Sequence, residues 1–182
     1  MDGVFMRKIL CTCLILALLV GAVSLVIDRQ RLREDLIRLH VVGASDADED
    51  QAVKLQVRDA VTAALADAVS AFPDARAAYA YLQAHLADIE QIANDALAAA
   101  GVSDRAAVTL GEEAFPTRQY DTFSLPAGVY RSLRIRIGQA QGRNWWCVVF
   151  PGLCASATTD GFADTAAGAG FSDTLTDTLR QK

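Results

Sequence analysis

An α+β domain behind an N-terminal apolar helix is the fold class this sequence predicts, with a helical hairpin packed on a mostly antiparallel sheet of about five strands. Three observations predict it. Apolar residues recur at spacings of three and four through the first half of the domain, alternate at period two before and after it, and run unbroken near the N-terminus.

The unbroken run begins at Ile9 and ends at Ile27 (ILCTCLILALLVGAVSLVI), 19 uncharged residues between Arg7 and Lys8 on one side and Asp28, Arg29, Arg31 and Arg33 on the other. At about 1.5 Å per residue a helix of this length spans roughly 29 Å, the hydrocarbon thickness of a bilayer. Two readings follow: an uncleaved membrane anchor, or a signal peptide with Ala22-Val23-Ser24 as its cleavage site. Basic residues on both flanks leave the orientation to be decided, and with one span we place the following domain outside the cytoplasmic membrane. Cys11 and Cys13 lie too near the start of the run to follow an apolar region, so neither is a lipoprotein cysteine.

The domain proper is expected over residues 36–154, after a segment and linker over 1–35. Residues 36–42 (LIRLHVV) set Ile37, Leu39 and Val41 on one face against Arg38 and His40 on the other, a strand that Gly43 ends. Ser45, Asp46, Asp48, Glu49 and Asp50 supply N-cap candidates and negative charge for a first helical turn. The helix presents Val53, Val57, Val61, Leu65 and Val69 on one face until Pro73 breaks it. A second helix starts near Asp74, carries Leu82, Leu86, Ile89, Ala93 and Leu97 inward, and stops at Gly101. Strands are then expected over 106–110, 122–125 and 129–137, with a hairpin loop over 138–142. Residues 144–150 (NWWCVVF), apolar on both faces, are expected to form a central strand. Residues 155–182, rich in Ala, Thr, Asp and Gly, are expected to be a low-complexity tail.

Charge and chemistry narrow the function. The chain has 182 residues, 17 Lys plus Arg against 22 Asp plus Glu, and a formal charge of −5, which argues against a nucleic-acid partner. Between residues 36 and 154 the acids concentrate in the helical half and most arginines in the strand half. Cys147 and Cys154 flank the Pro151-Gly152 turn; outside the cytoplasm they are disulfide candidates, and otherwise two partly buried thiols. Asp46, Asp48 and Asp50 alternate as in a calcium loop, but no glycine lies between Ala47 and Gln51 and Val57 stands where a carboxylate is needed. No phosphate loop, serine elbow or catalytic carboxylate pair is recognisable, so neither a catalytic set, a metal nor a cofactor is expected. Trp145 and Trp146 must point to opposite faces of their strand, and Arg118, Arg131, Arg134, Arg136 and Arg143 run near them, the composition of an interaction surface.

Ordered motifs carry more. The sequence has RLHV, SD followed by EDQA, K-x-x-VRDAV, FPTR-x-Y, LPAG-x-Y, LR-x-x-IG and NWWCV-x-FP-x-LC, in that order between Leu36 and Cys154. In this series it resembles the stage II sporulation protein R family. The resemblance implies export into the space between forespore and mother cell. There it implies activation of a membrane-embedded aspartic protease that processes the precursor of the mother-cell sigma factor. It departs from the family's usual pattern at Ala44, Asp121, Ala140 and Gly152. No catalytic residues come with the resemblance. Matching positions offered for partner contact or fold maintenance are Arg38, His40, Ser45, Asp46, Asp50, Lys54, Arg58, Asp59, Arg118, Asn144, Trp145 and Trp146, with Cys147 and Cys154 as the disulfide candidates. The alternative is a membrane-anchored extracytoplasmic hydrolase using Cys147 as nucleophile and His40 as base.

Overall fold

The computed structural model describes residues 3–120, 124–152 and 154; the expected tail over 155–182 lies outside them. The chain divides into two units, Met1–Leu32 and Arg33–Lys182. Helix α1 (Gly3–Glu34) supplies the first, and its stretch Met6–Glu34 is long and apolar enough to cross a membrane, with none of its most apolar window buried. A membrane anchor and a signal sequence share that property.

The second unit is α+β. In chain order it contains β1 (Ile37–Val42), α2 (Asp48–Ser70), α3 (Ala75–Ala84), α4 (Leu86–Ala99), β2 (Ala106–Phe115), β3 (Arg118–Gln119), β4 (Ser124–Leu125), β5 (Gly128–Ile137) and β6 (Asn144–Phe150). Four strands form one sheet in the order β2-β5-β1-β6, and β3 pairs with β4 separately. β1 runs parallel to β5 and antiparallel to β6, while β2 runs antiparallel to β5, so the sheet is mostly antiparallel.

Period-two alternation sorts the sheet into two faces. Ile37, Leu39, Val41, Leu133, Ile135, Cys147 and Val149 form one face, packed with Val57, Val61, Leu65, Ile89, Ala93 and Leu97 of the helices as the apolar core. The acidic first turn of α2 (Asp48, Glu49, Asp50) complements its dipole. Asp74 caps α3, accepting from the Ala77 amide at 2.8 Å. Gly101, at φ +74°, ends the last helix in the left-handed conformation its terminus requires.

Several local expectations are corrected. The second helix is two, because His85 leaves helical geometry (φ −113°, ψ 20°) and stacks on Tyr81. Neither Ser45 nor Asp46 is the N-cap of α2; Ala47 holds that position and its amide donates to Ser45 Oγ. β2 continues past Leu110 to Phe115, since Gly111, Glu112 and Glu113 keep the extended register opposite Ser132, Arg131 and Tyr130. The 138–142 segment is no hairpin: β5 and β6 lie on either side of β1, and the segment crosses over it. β6 is an edge strand rather than a central one, with its faces covered by other means described below.

Candidate functional site

The face of the sheet turned away from the helices carries the polar and aromatic side chains. Arg38 and His40 project there from β1, Ser132 and Arg134 from β5, Glu113 and Phe115 from β2, and Asn144 and Trp146 from β6, by register across all four strands. Arg118 and Tyr120, from the segment after β2, lie over it.

His40 stands at the centre and is only 5% exposed. Its Nδ1–H donates to the Glu113 carboxylate, at 2.9 and 3.0 Å from the two oxygens, and its Nε2 lies 2.8 Å from the Asn144 amide oxygen. Ser132 Oγ donates to Glu113 at 3.0 Å, and Arg134 approaches the same carboxylate at 3.5 Å. Glu113, itself only part-buried, therefore gathers donors from two other strands, which offset the water it has lost.

Arg38 is fully buried and has no acidic partner among the described residues. Its guanidinium donates to the Tyr120 hydroxyl at 2.9 Å and otherwise faces aromatic rings, Phe115 at 4.0 Å and Tyr130 at 5.2 Å. Rings solvate a delocalised guanidinium more readily than an ammonium. Burial pulls the Arg38 group below its ordinary value, opposed by Tyr120 and Tyr130. The same burial raises both phenols, with Arg38 opposing. Beside them Arg118 stacks on Trp146 at 3.6 Å, and Trp146 in turn lies 5.6 Å from the His40 ring. This stacked layer is what covers β6 on its far face.

The remaining sequence candidates fall into separate groups. Ser45, Asp46, Asp50 and Lys54 build a clasp between the start of α2 and the 138–143 crossover. Ser45 donates to Asp50, and Asp46 accepts from the Arg143 amide at 2.7 Å. Lys54 donates to Gln51 Oε1 at 2.6 Å and to the Arg143 carbonyl at 3.0 Å. Burial, then Arg143, lowers the Lys54 ammonium from its ordinary value. Gly142 passes so close to the Ser45 carbonyl that a Cβ would stand 2.1 Å from it. Arg58 pairs with Asp59 and lies 4.7 Å from the Trp145 ring on the helix side. Cys147 and Cys154 are joined as a disulfide.

Chemically, the layer can orient and recognise rather than attack. Ser132 gives its proton to Glu113 and not to His40. Cys147 lies on the opposite face from His40, opposite Leu39 in register, and its sulfur is bonded to Cys154. The geometry thus separates the pair that a Cys/His hydrolase needs within hydrogen-bond reach. Among the described residues no three His, Cys, Asp or Glu side chains converge as a metal site. Sequence reasoning missed Glu113, Ser132, Tyr120 and Tyr130 as members of the layer. Alternation at period two through Thr109, Gly111, Glu113 and Phe115 was the available signal.

The family model described as stage II sporulation protein R matches residues 33–160. Stage II sporulation protein R of Bacillus subtilis (strain 168) is 34% identical over 121 residues, covering 66% of this chain and 54% of that protein. The chain thus spans about half the length of that relative. No solved structure matches it.

Proposed function

This chain belongs to the stage II sporulation protein R family and has a role in sporulation, and from that premise we propose that it is a non-enzymatic, exported signalling protein. It switches on a membrane-embedded aspartic protease that processes the precursor of the mother-cell sigma factor. The domain stands outside the cytoplasmic membrane, between forespore and mother cell, delivered there by the apolar helix.

The observation that supports this most is the polar-aromatic layer over the β1 face, occupied by arginine-ring stacks and hydrogen bonds within itself. Trp and Arg in a half-buried cluster are the side chains that anchor protein partners. Trp146 and Arg118 are partly exposed at the rim of this layer, and we assign partner contact to them. Arg38 and His40 hold the layer in place beneath.

The test is genetic and has two arms. Deleting the gene blocks processing of the sigma-factor precursor, and the wild-type gene restores it. An Arg118→Glu variant, exported at wild-type level, fails to restore it. Normal processing in the deletion strain overturns the protease-activation reading; full rescue by Arg118→Glu overturns the assignment of the contact surface.

A further inference from the structure

Sheet edges are bonding surfaces unless something occupies them. On β2 the first outward-facing backbone groups are occupied by α4. Asn94 accepts from the Ala106 amide at 3.0 Å and donates to the Ala106 carbonyl at 3.3 Å, and Glu90 accepts from the Val108 amide at 3.0 Å. The strand's alternation turns the same groups of Leu110, Glu112 and Ala114 outward as well. Among the described residues nothing bonds them, and Pro116 ends the stretch.

The open stretch borders a shallow cavity of about 200 Å³ whose walls include Gly111, Glu113, Ser132 and Arg134. A Cβ on Gly111 would meet nothing within 4 Å, so a neighbouring backbone can approach closely there. Glu112 is exposed and has no ion-pair partner among the described residues.

We propose that the β2 edge over residues 109–115 captures an extended segment of a partner protein by strand addition, with a Lys or Arg of that segment set against Glu112. A second copy of this chain fits less well. The antiparallel register that engages the open positions together pairs Leu110 with Ala114 and sets Glu112 against Glu112, a like-charge pair. A heterologous basic strand removes that repulsion and sets a cation on the outer side of Glu112, whose cross-strand neighbour on β5, Arg131, is turned instead to the Glu34 carbonyl and the Tyr79 ring. This site lies at the opposite end of the sheet from Trp146 and does not depend on the protease-activation reading.

The test uses the full chain in detergent micelles and two fluorescent seven-residue peptides. Both alternate threonine and valine, one with a central lysine and the other with a central glutamate. The lysine peptide is expected to bind roughly two- to thirtyfold more tightly, the range for replacing a repulsive cross-strand pair by an attractive one. Ala114→Pro removes an amide hydrogen that the fold leaves unpaired, and abolishes binding. Glu112→Lys, which leaves the backbone intact, reverses the preference. Equal affinity for the two peptides, or wild-type binding by either variant, overturns the proposal. So does slow hydrogen exchange at Leu110, Glu112 and Ala114 that becomes fast when residues 155–182 are removed, because the chain's own tail would then hold the edge. A dimer dissociated by Ala114→Pro overturns it in favour of a second copy.

Discussion

Removing the Glu113 carboxylate by Glu113→Ala tests whether the polar layer is held by the bonds assigned to it. The substitution strands the His40 Nδ1–H and the Ser132 hydroxyl, in residues 5% and 2% exposed. A buried donor left without its acceptor costs about 1–3 kcal/mol. The Glu113 side chain is 22% exposed, so water reaches the vacated space and the lower half of that range applies to each donor. The Arg134 contact, at 3.5 Å with that side chain 41% exposed, adds on the order of 0.5 kcal/mol or less. The sum is a loss of about 2–4 kcal/mol. Glu113→Gln keeps one acceptor oxygen and should lose about half as much. In a double-mutant cycle with Ser132→Ala the two sites should couple by about 1 kcal/mol. Urea unfolding of the full chain in detergent, followed by tryptophan fluorescence, reads each value. A Glu113→Ala protein within about 0.5 kcal/mol of wild type, or a Gln variant as damaged as the Ala variant, refutes the reasoning.

Gly142→Ala should cost about 1–3 kcal/mol in the same unfolding assay, because its methyl would collide with the Ser45 carbonyl and break the clasp. Gly111→Ala, with open space around it, should be neutral or slightly stabilising. Cys154→Ala opens the loop closed at Cys147, which in the chain-entropy model lowers stability by about 2.5 kcal/mol. Reductant should lower the wild type equally and leave the variant unchanged. Burial raises the Tyr120 and Tyr130 phenols above their ordinary value of 10.0, so the unfolded chain ionises first. Their contribution to stability is complete below pH 10.0 and is lost as pH rises through the folded-state values. Tyr120→Phe should flatten the alkaline part of the stability profile, and an unchanged profile counts against the burial argument.

Helices and strand faces were legible because burial imposes a period, and Val57, Val61, Leu65, Ile37, Leu39 and Val41 show theirs openly. What misled was local composition standing for global placement. Gly111-Glu112-Glu113 has the composition of a turn, yet pairing with β5 carries the strand through it. Residues 144–150 are apolar on both faces, yet this comes from helix packing on one side and the Arg118–Trp146 stack on the other. Neither requires a strand at both edges. At the site, Arg38 and His40 were visible as polar residues on an apolar strand. Asn144 was among the candidates as a motif position, but its pairing with His40 was not foreseen, and Glu113 and Tyr120 were not singled out at all, because only the sheet order brings these residues together.

The position of β1 in the sheet constrains the order of events in folding. It is the first strand made, yet its pairing partners begin at Arg131 and extend to Phe150, near the end of the domain. Until β5 and β6 have been synthesised, Ile37, Leu39 and Val41 have no ladder to join, and Arg38 has no Tyr130 or Phe115 ring to lie against. Such long-range closure makes assembly slow. A chain threaded from its N-terminus through a narrow channel would therefore remain unfolded, and passable, until almost the whole domain had emerged.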